Sequence, residues 1–184
     1  MSRIYDISRP LERGAWVWSG DTPFDCGLAW KMSEGASVNV GRLTMSLHCG
    51  THMDAPFHFA PHGPSSEQIP LANCIGPCDV VSLARLADAT AERILVKACG
   101  GAPTVEQLAK LGSLKLFGTD FHSVDPMDSK ALPVHHHLWQ RGAVILEELD
   151  LSQVPDGRYG LIAMPLLIKG MDAAPVRAVL VRES

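Results

Sequence analysis

The alternation of apolar and polar positions predicts a chain of short strands with few helices. Residues 3–8 alternate well enough for a first strand, and residues 37–47 for another that runs straight into the histidine-rich stretch after it. Residues 79–83 and 93–98 are apolar runs of the length of short buried strands, and 114–117, 143–146, 161–168 and 175–181 follow in the same manner. Helical spacing appears at 105–111, with Thr104 as N-cap and Gly112 as the stop, and a second helical segment falls within 128–141. Turns are announced by Gly20, Asp21 and Pro23, by the proline- and glycine-rich residues 61–70, and by Pro155-Asp156-Gly157. No repeat, low-complexity tract or linker interrupts the chain, so residues 1–184 read as one domain. Many short strands with two helical segments indicate an α/β or α+β domain whose mixed sheet carries the site.

The chemistry is concentrated in residues 46–60. His48, His52, Asp54 and His58 share one parity, so on a strand they face one side. The opposite parity, Cys49, Thr51, Met53, Ala55 and Phe57, is a mostly apolar set suited to a core. A helix would also bring His48 and His52 together, but Gly50 and Pro56 each break a helix interior. A straight strand sets the Cα atoms of His48 and His52 roughly 13 Å apart, at about 3.3 Å per residue. That is far for two ligands of one ion and predicts a kink or bulge at Gly50. Imidazole and carboxylate donors together suit Zn and are acceptable to Mn or Fe. A single histidine of this kind is ordinarily a satisfied surface or core side chain; three with an aspartate on one face make a metal site.

Other positions admit two readings. Trp16 and Trp18 beside a turn are core filler, or Trp18 walls a pocket for a flat substrate ring. Ser123 and Asp125 follow a strand end and form a capped turn or part of a site. His135-His136-His137 is a surface run, or it supplies a ligand from a helix that faces the metal strand. His62 reads as a solvated histidine. Cys49 has the wrong parity to pair with the histidine face as a nucleophile.

The stretch His48-Cys-Gly50-Thr51-His52-Met-Asp54-Ala-Pro56-Phe-His58 resembles the His-x-Gly-Thr-His-x-Asp-x-Pro-x-His signature of the cyclase superfamily of metal hydrolases, whose best known members are bacterial kynurenine formamidases. Every fixed position of the signature is present. The likeness extends to Trp18-Ser-Gly-Asp-Thr-Pro23, with a serine where the family has proline, to Gly118-Thr-Asp120 with Ser123-Val-Asp-Pro126, and to the last two strands. His122 stands where a proline is expected, and residues 96–118 form a shorter segment than is typical.

The resemblance implies a swivelling β/β/α fold, a homodimer and a second set of ligands. The family pairs a histidine with a glutamate twelve residues on, which in this register gives His135 and Glu147, with His136 as the alternative one residue away. It implies two Zn ions per chain, one held by His48, His52 and Asp54 and a second by His135 and Glu147, with both carboxylates bridging. It implies His58 as proton shuttle, and Trp18 and Ser123 as substrate-binding residues. The implied reaction is hydrolysis of N-formyl-L-kynurenine to formate and L-kynurenine. Two other readings remain: a sister hydrolase opening another aryl or cyclic amide of the isatin kind, and a metal-binding protein without turnover.

Composition narrows the partners further. With 184 residues, 46% of them hydrophobic, the chain is long enough for a sizeable core. A formal charge of −4 gives no electrostatic reason to expect nucleic acid or an anionic membrane. The start of the chain lacks the apolar run of a signal peptide and no segment reaches the length of a membrane span. The five cysteines are irregularly spaced, so Cys74 and Cys78 are expected as free buried thiols rather than half of a zinc knuckle. These features lead to the expectation of a reduced, cytoplasmic enzyme acting on a small molecule.

Overall fold

The computed structural model describes residues 3–99 and 101–182. Its strands are β1 (Arg3–Asp6), β2 (Asp25–Trp30), β3 (Val40–Thr44), β4 (His52–Asp54), β5 (Ile75–Ser82), β6 (Arg93–Lys97), β7 (Leu116–Thr119), β8 (Val144–Glu147), β9 (Gly157–Pro165) and β10 (Ala173–Arg182). The helices are α1 (Leu71–Cys74), α2 (Val105–Ala109) and α3 (Pro133–Gln140).

Among the described residues, eight strands form one mixed sheet in the order β1-β10-β4-β8-β7-β6-β5-β9. The pairs β5–β6, β6–β7 and β7–β8 are parallel, and the remaining pairs are antiparallel. The long strand β10 closes the sheet on itself. Its first residues, Ala173–Pro175, pair with β4, whereas Val176–Val181 pair with β9. The result is a barrel-like arrangement, in which closure removes exposed strand edges.

Period-two alternation sorts the side chains into two cores. Met53, Val80, Leu95, Leu116, Val144, Leu146, Leu161 and Ala178 pack together on one face of the sheet. Val81, Ile94, Val96, Phe117 and Ile145 point to the other face, against Leu108 of α2 and Val134 and Leu138 of α3. Strands covered on both faces read as continuous apolar runs, which is why β6 and β8 are conspicuous in the sequence. Helix α2 starts where its capping box predicts, with Thr104 Oγ1 accepting from the Gln107 amide at 3.2 Å and the Gln107 side chain accepting from the Thr104 amide.

Three expectations are corrected. Residues 48–58 do not form one strand: β4 spans only His52–Asp54, His48 lies in the turn before it, and His58 ends a 3-10 turn at Pro56–His58. Gly50, at φ +68°, makes the expected kink, and Pro56 ends the strand. Phe57, expected in the core, is 43% exposed because that turn breaks the alternation, while Cys49, Met53 and Ala55 are fully buried. The alternation in residues 37–47 does not feed the main sheet. Only Val40–Thr44 is strand, and it pairs with the unforeseen β2 in a separate ribbon whose Leu28, Trp30 and Leu43 are exposed. Cys74 and Cys78 are free and buried, as expected.

The turn that carries His58 is backed by Gly63. A Cβ there would lie 2.5 Å from the carbonyl carbon of Pro56 and 2.7 Å from the amide nitrogen of Phe57, both backbone atoms that cannot move without displacing His58. Gly63→Ala is therefore expected to lose about 1–3 kcal/mol of stability, as overpacked sites do. Gly112→Ala, where a Cβ meets nothing within 4 Å, serves as the control. Urea unfolding midpoints measure both, and equal midpoints would show that the loop yields.

Candidate metal centre

Strand pairing assembles the first half of the site. In the antiparallel register of β4 and β8, His52 lies directly opposite Glu147 and Asp54 opposite Ile145. His52, Asp54 and Glu147 thus share the sheet face away from the Met53 core, and neighbouring side chains on that face meet across the strands. The kink at Gly50 swings His48 back over the same spot. His48 Nδ1 lies 3.1 Å from His52 Nε2 and 3.1 Å from Asp54 Oδ1, and the last two atoms are 3.3 Å apart. Four ligands at about 2.0–2.1 Å from a tetrahedral ion stand roughly 3.3 Å from one another, so this triangle has the size of one face of a coordination shell. Asp54 Oδ1 is buried and makes no hydrogen bond, although two ring nitrogens lie this close. The three atoms converge on a common point rather than on each other, which is the arrangement a cation fits.

A second triangle shares the Asp54 carboxylate with the first. Helix α3 presents buried His135, whose Nε2 lies 3.2 Å from Asp54 Oδ2 and 3.6 Å from Glu147 Oε1. The other oxygen of Glu147 is 3.6 Å from His52 Nε2. Each carboxylate offers one oxygen to each side, so the donor set could hold two ions with Asp54 and Glu147 between them. Both His135 and half-buried His136 pack edge-on against Phe59, at 5.2 and 5.3 Å, but among the described residues only His135 of the two reaches the carboxylates, so the helix turns it and not its neighbour to them.

Each of these histidines is oriented through its other nitrogen. His52 Nδ1 is held by the Gly50 carbonyl at 2.8 Å, His48 Nε2 by Asp172 Oδ2 at 2.9 Å, and His135 Nδ1 by Asp125 Oδ2 at 2.6 Å. A donor N–H on that side leaves the other nitrogen free as a ligand. Asp125 is fully buried and also accepts the amides of Val134 and His135, so it caps the start of α3 and aims its histidine at once. Glu147 Oε1 accepts the Val124 amide at 2.7 Å.

Of the other predicted residues, His58 and Ser123 border this centre. His58 is one-third exposed; its ring centre is 4.2 Å from that of His48, and its Nδ1 is 3.5 Å from Asp172 Oδ2. Trp18 is half-buried and meets Trp16 edge-on at 5.0 Å. Ser123 is buried, with its Oγ accepting the Asp125 amide at 3.2 Å, so the structure accounts for it as the capped turn. Sequence reasoning missed Asp172, which touches both His48 and His58. It stands 124 residues from His48 and nothing in its local pattern singles it out.

Comparison with known proteins now identifies the relatives. The Cyclase family model, described as "Putative cyclase", matches residues 5–102. A kynurenine formamidase of Bacillus thuringiensis subsp. konkukian (strain 97-27) is 38% identical over 204 residues, covering 97% of each chain. The chain belongs to the cyclase family. A solved structure described as a "Potential Metal-Dependent Hydrolase With Cyclase Activity" superposes with a TM-score of 0.82 at 27% identity over the full length of both chains. Isatin hydrolase A from Labrenzia aggregata shares the fold, with a TM-score of 0.81 at 21% identity over 100% of this chain and 94% of that one. The single-domain α/β cyclase fold is therefore that of a family of metal-dependent hydrolases, and this member is an enzyme.

Electrostatics of the cyclase site follow from its crowding. Burial opposes charge on His48, but the Asp172 and Asp54 carboxylates outweigh it and lift the imidazole to about 10. His135 is likewise lifted to about 10 by Asp125 and Asp54 against burial. Asp54 is held well below the usual carboxylate range by His135, His48 and His52 despite its burial. Glu147 is pushed upwards, first by burial and then by Asp54. Without a cation the histidines carry the compensating protons. Both are raised above the ordinary 6.5, so their contribution to the stability of the metal-free protein is complete below that pH and is lost as pH rises towards 10. A divalent cation must displace these protons. Titration of chelator-stripped protein with the cation at pH 7, in buffers of different ionisation enthalpy, is expected to show more than one proton released per chain, and tighter binding as pH rises. Uptake without proton release would contradict this ligand set.

Proposed function

We propose that this cyclase-family enzyme is a metal-dependent arylformamidase that hydrolyses N-formyl-L-kynurenine to L-kynurenine and formate. The observation that carries the proposal is the convergence of His48, His52, Asp54, His135 and Glu147 on two adjacent points in a chain 38% identical, over nearly its whole length, to a kynurenine formamidase. The histidine and carboxylate donors suit Zn, two ions per chain, with Mn or Fe as workable substitutes. A divalent ion held there lowers the pKa of a water from about 15.7 towards 7 and polarises a carbonyl.

The protein's own residues supply the rest. Burial keeps the pKa of His58 below the ordinary 6.5, so the ring is unprotonated at neutral pH and open to receive a proton. Placed beside His48 and partly open to solvent, it takes the proton from the attacking water and returns it to the aniline nitrogen, which leaves poorly without it. Asp172, within reach of both rings, fixes their relative orientation. Trp18 offers an indole face to the aryl ring, and Ser123 with the Val124 amide shapes the adjoining wall. The isatin-opening alternative has weaker support, since the likeness to isatin hydrolase reaches the fold alone.

The proposal extends to assembly and location. The β2–β3 ribbon exposes Leu28 (45%), Trp30 (61%) and Leu43 (62%), apolar area that a second copy would cover, and we place the enzyme as a homodimer. No helix among the described residues is long and apolar enough to cross a membrane, and the fold and small substrate suit a cytoplasmic enzyme.

Formate release from N-formyl-L-kynurenine by Zn-loaded protein is the direct test, with His52→Ala and a chelated sample as controls. Turnover abolished in both supports the proposal, whereas metal uptake without turnover removes the substrate. His58→Ala is expected to lower kcat by about 10²–10⁴-fold with metal content unchanged. The acid limb of the pH profile should fall below 6.5, because activity is lost as His58 gains its proton. A limb above 6.5 that survives His58→Ala would assign the proton transfer elsewhere.

A further inference from the structure

One cluster beside the metal centre takes no part in the chemistry above. Glu148 follows the candidate ligand Glu147 and would, in a continued strand, enter the apolar core with Leu146. Its backbone instead takes φ +58°, a left-handed conformation rare outside glycine, and its buried carboxylate meets Arg9 at 3.0 Å and the imidazole of His122. Its main chain is tied as well, the amide donating to Phe121 O at 3.1 Å and the carbonyl accepting Thr51 Oγ1 at 2.6 Å. On its other side the His122 ring stacks on the Trp16 indole, with centroids 3.8 Å apart and planes at 17°. Trp16 in turn packs edge-on against Trp18. Two residues along the chain from His122, the Val124 amide grips Glu147. One imidazole thus joins the loop that bears both tryptophans to the turn that holds a metal-site carboxylate.

We propose that His122 is a positioning residue, clasped between Glu148 and Trp16, that fixes the aromatic wall formed by Trp16 and Trp18 and so sets the affinity for the aryl ring of the substrate. The proposal rests on the proposed reading that Trp18 faces a substrate carrying an aryl group, but not on that substrate being a formamide. A flat, fixed indole gives an aryl ligand its contact area without first having to be ordered. Loss of the stack releases the wall without touching any atom of the metal centre, so binding of the ring weakens while the chemical step stays.

The test is a titration of the metal-loaded protein with L-kynurenine, read by quenching of tryptophan emission, which needs no turnover. His122→Ala is expected to raise Kd about three- to tenfold, the effect of one aromatic pair. His122→Phe, which keeps the stacked ring, is expected to stay within about twofold of the wild type. Where N-formyl-L-kynurenine is hydrolysed, KM should rise by the same factor in His122→Ala with kcat within about twofold. If His122→Ala does not fold, Trp16→Leu removes the same stack and should raise Kd equally. Equal Kd in the Ala or Leu variant and the wild type would overturn the proposal, as would absence of L-kynurenine binding by the wild type. Binding that weakens as stated, in a protein that hydrolyses no formamide, would uphold the wall and overturn the formamidase reading alone.

Discussion

Two carboxylates, Asp54 and Glu147, are buried on neighbouring strands and, among the described residues, pair with histidines and with no lysine or arginine, and much of the structure answers that constraint. Burial of one unpaired carboxylate is already expensive, and two within reach of each other repel. The chain surrounds them with three imidazoles, from a turn, a strand and a helix, and with the amide of Val124. Each imidazole is in turn held by an acceptor on its far side. The charges are arranged so that a cation, or protons in its place, completes the set.

The barrel-like sheet makes this arrangement affordable in geometry. Antiparallel pairing of β4 with β8 fixes His52 opposite Glu147, and alternation keeps Met53 and Leu146 in the core on the opposite face. A slip of one residue would bury the ligands in that core and expose the leucine, so the apolar pattern and the site enforce the same register. β10 holds β4 from the other edge, and the residue just before it, Asp172, reaches His48 and His58. Closure of the sheet therefore positions both the ligands and the side chain that orients them.

The parts legible in the sequence were those whose physics is local. Alternation and apolar runs marked β1 and most of β5 to β10 within a few residues, the Thr104 capping box marked α2, and the spacing of His48, His52, Asp54 and His58 marked the site. Where local rules met a break, they failed in a traceable way. Gly50 and Pro56 shortened the expected strand to three residues and left Phe57 exposed, and the alternation of residues 37–47 belonged to a ribbon outside the main sheet.

By itself the sequence determined the donor types, the kink between the first two histidines, and the alternation that sends His52 and Asp54 to one face and Met53 to the other. Resemblance to a family, not spacing, singled out His135 over His136. Only the tertiary structure decided that His135, and not His136, reaches Asp54, since that depends on how α3 is rotated against the sheet. It alone brought Asp172 to His48 across 124 residues, and joined Arg9, His122 and Glu148 under the tryptophan loop. Such contacts arise from sheet closure and helix packing, and sidedness over these distances leaves no periodic trace in the chain.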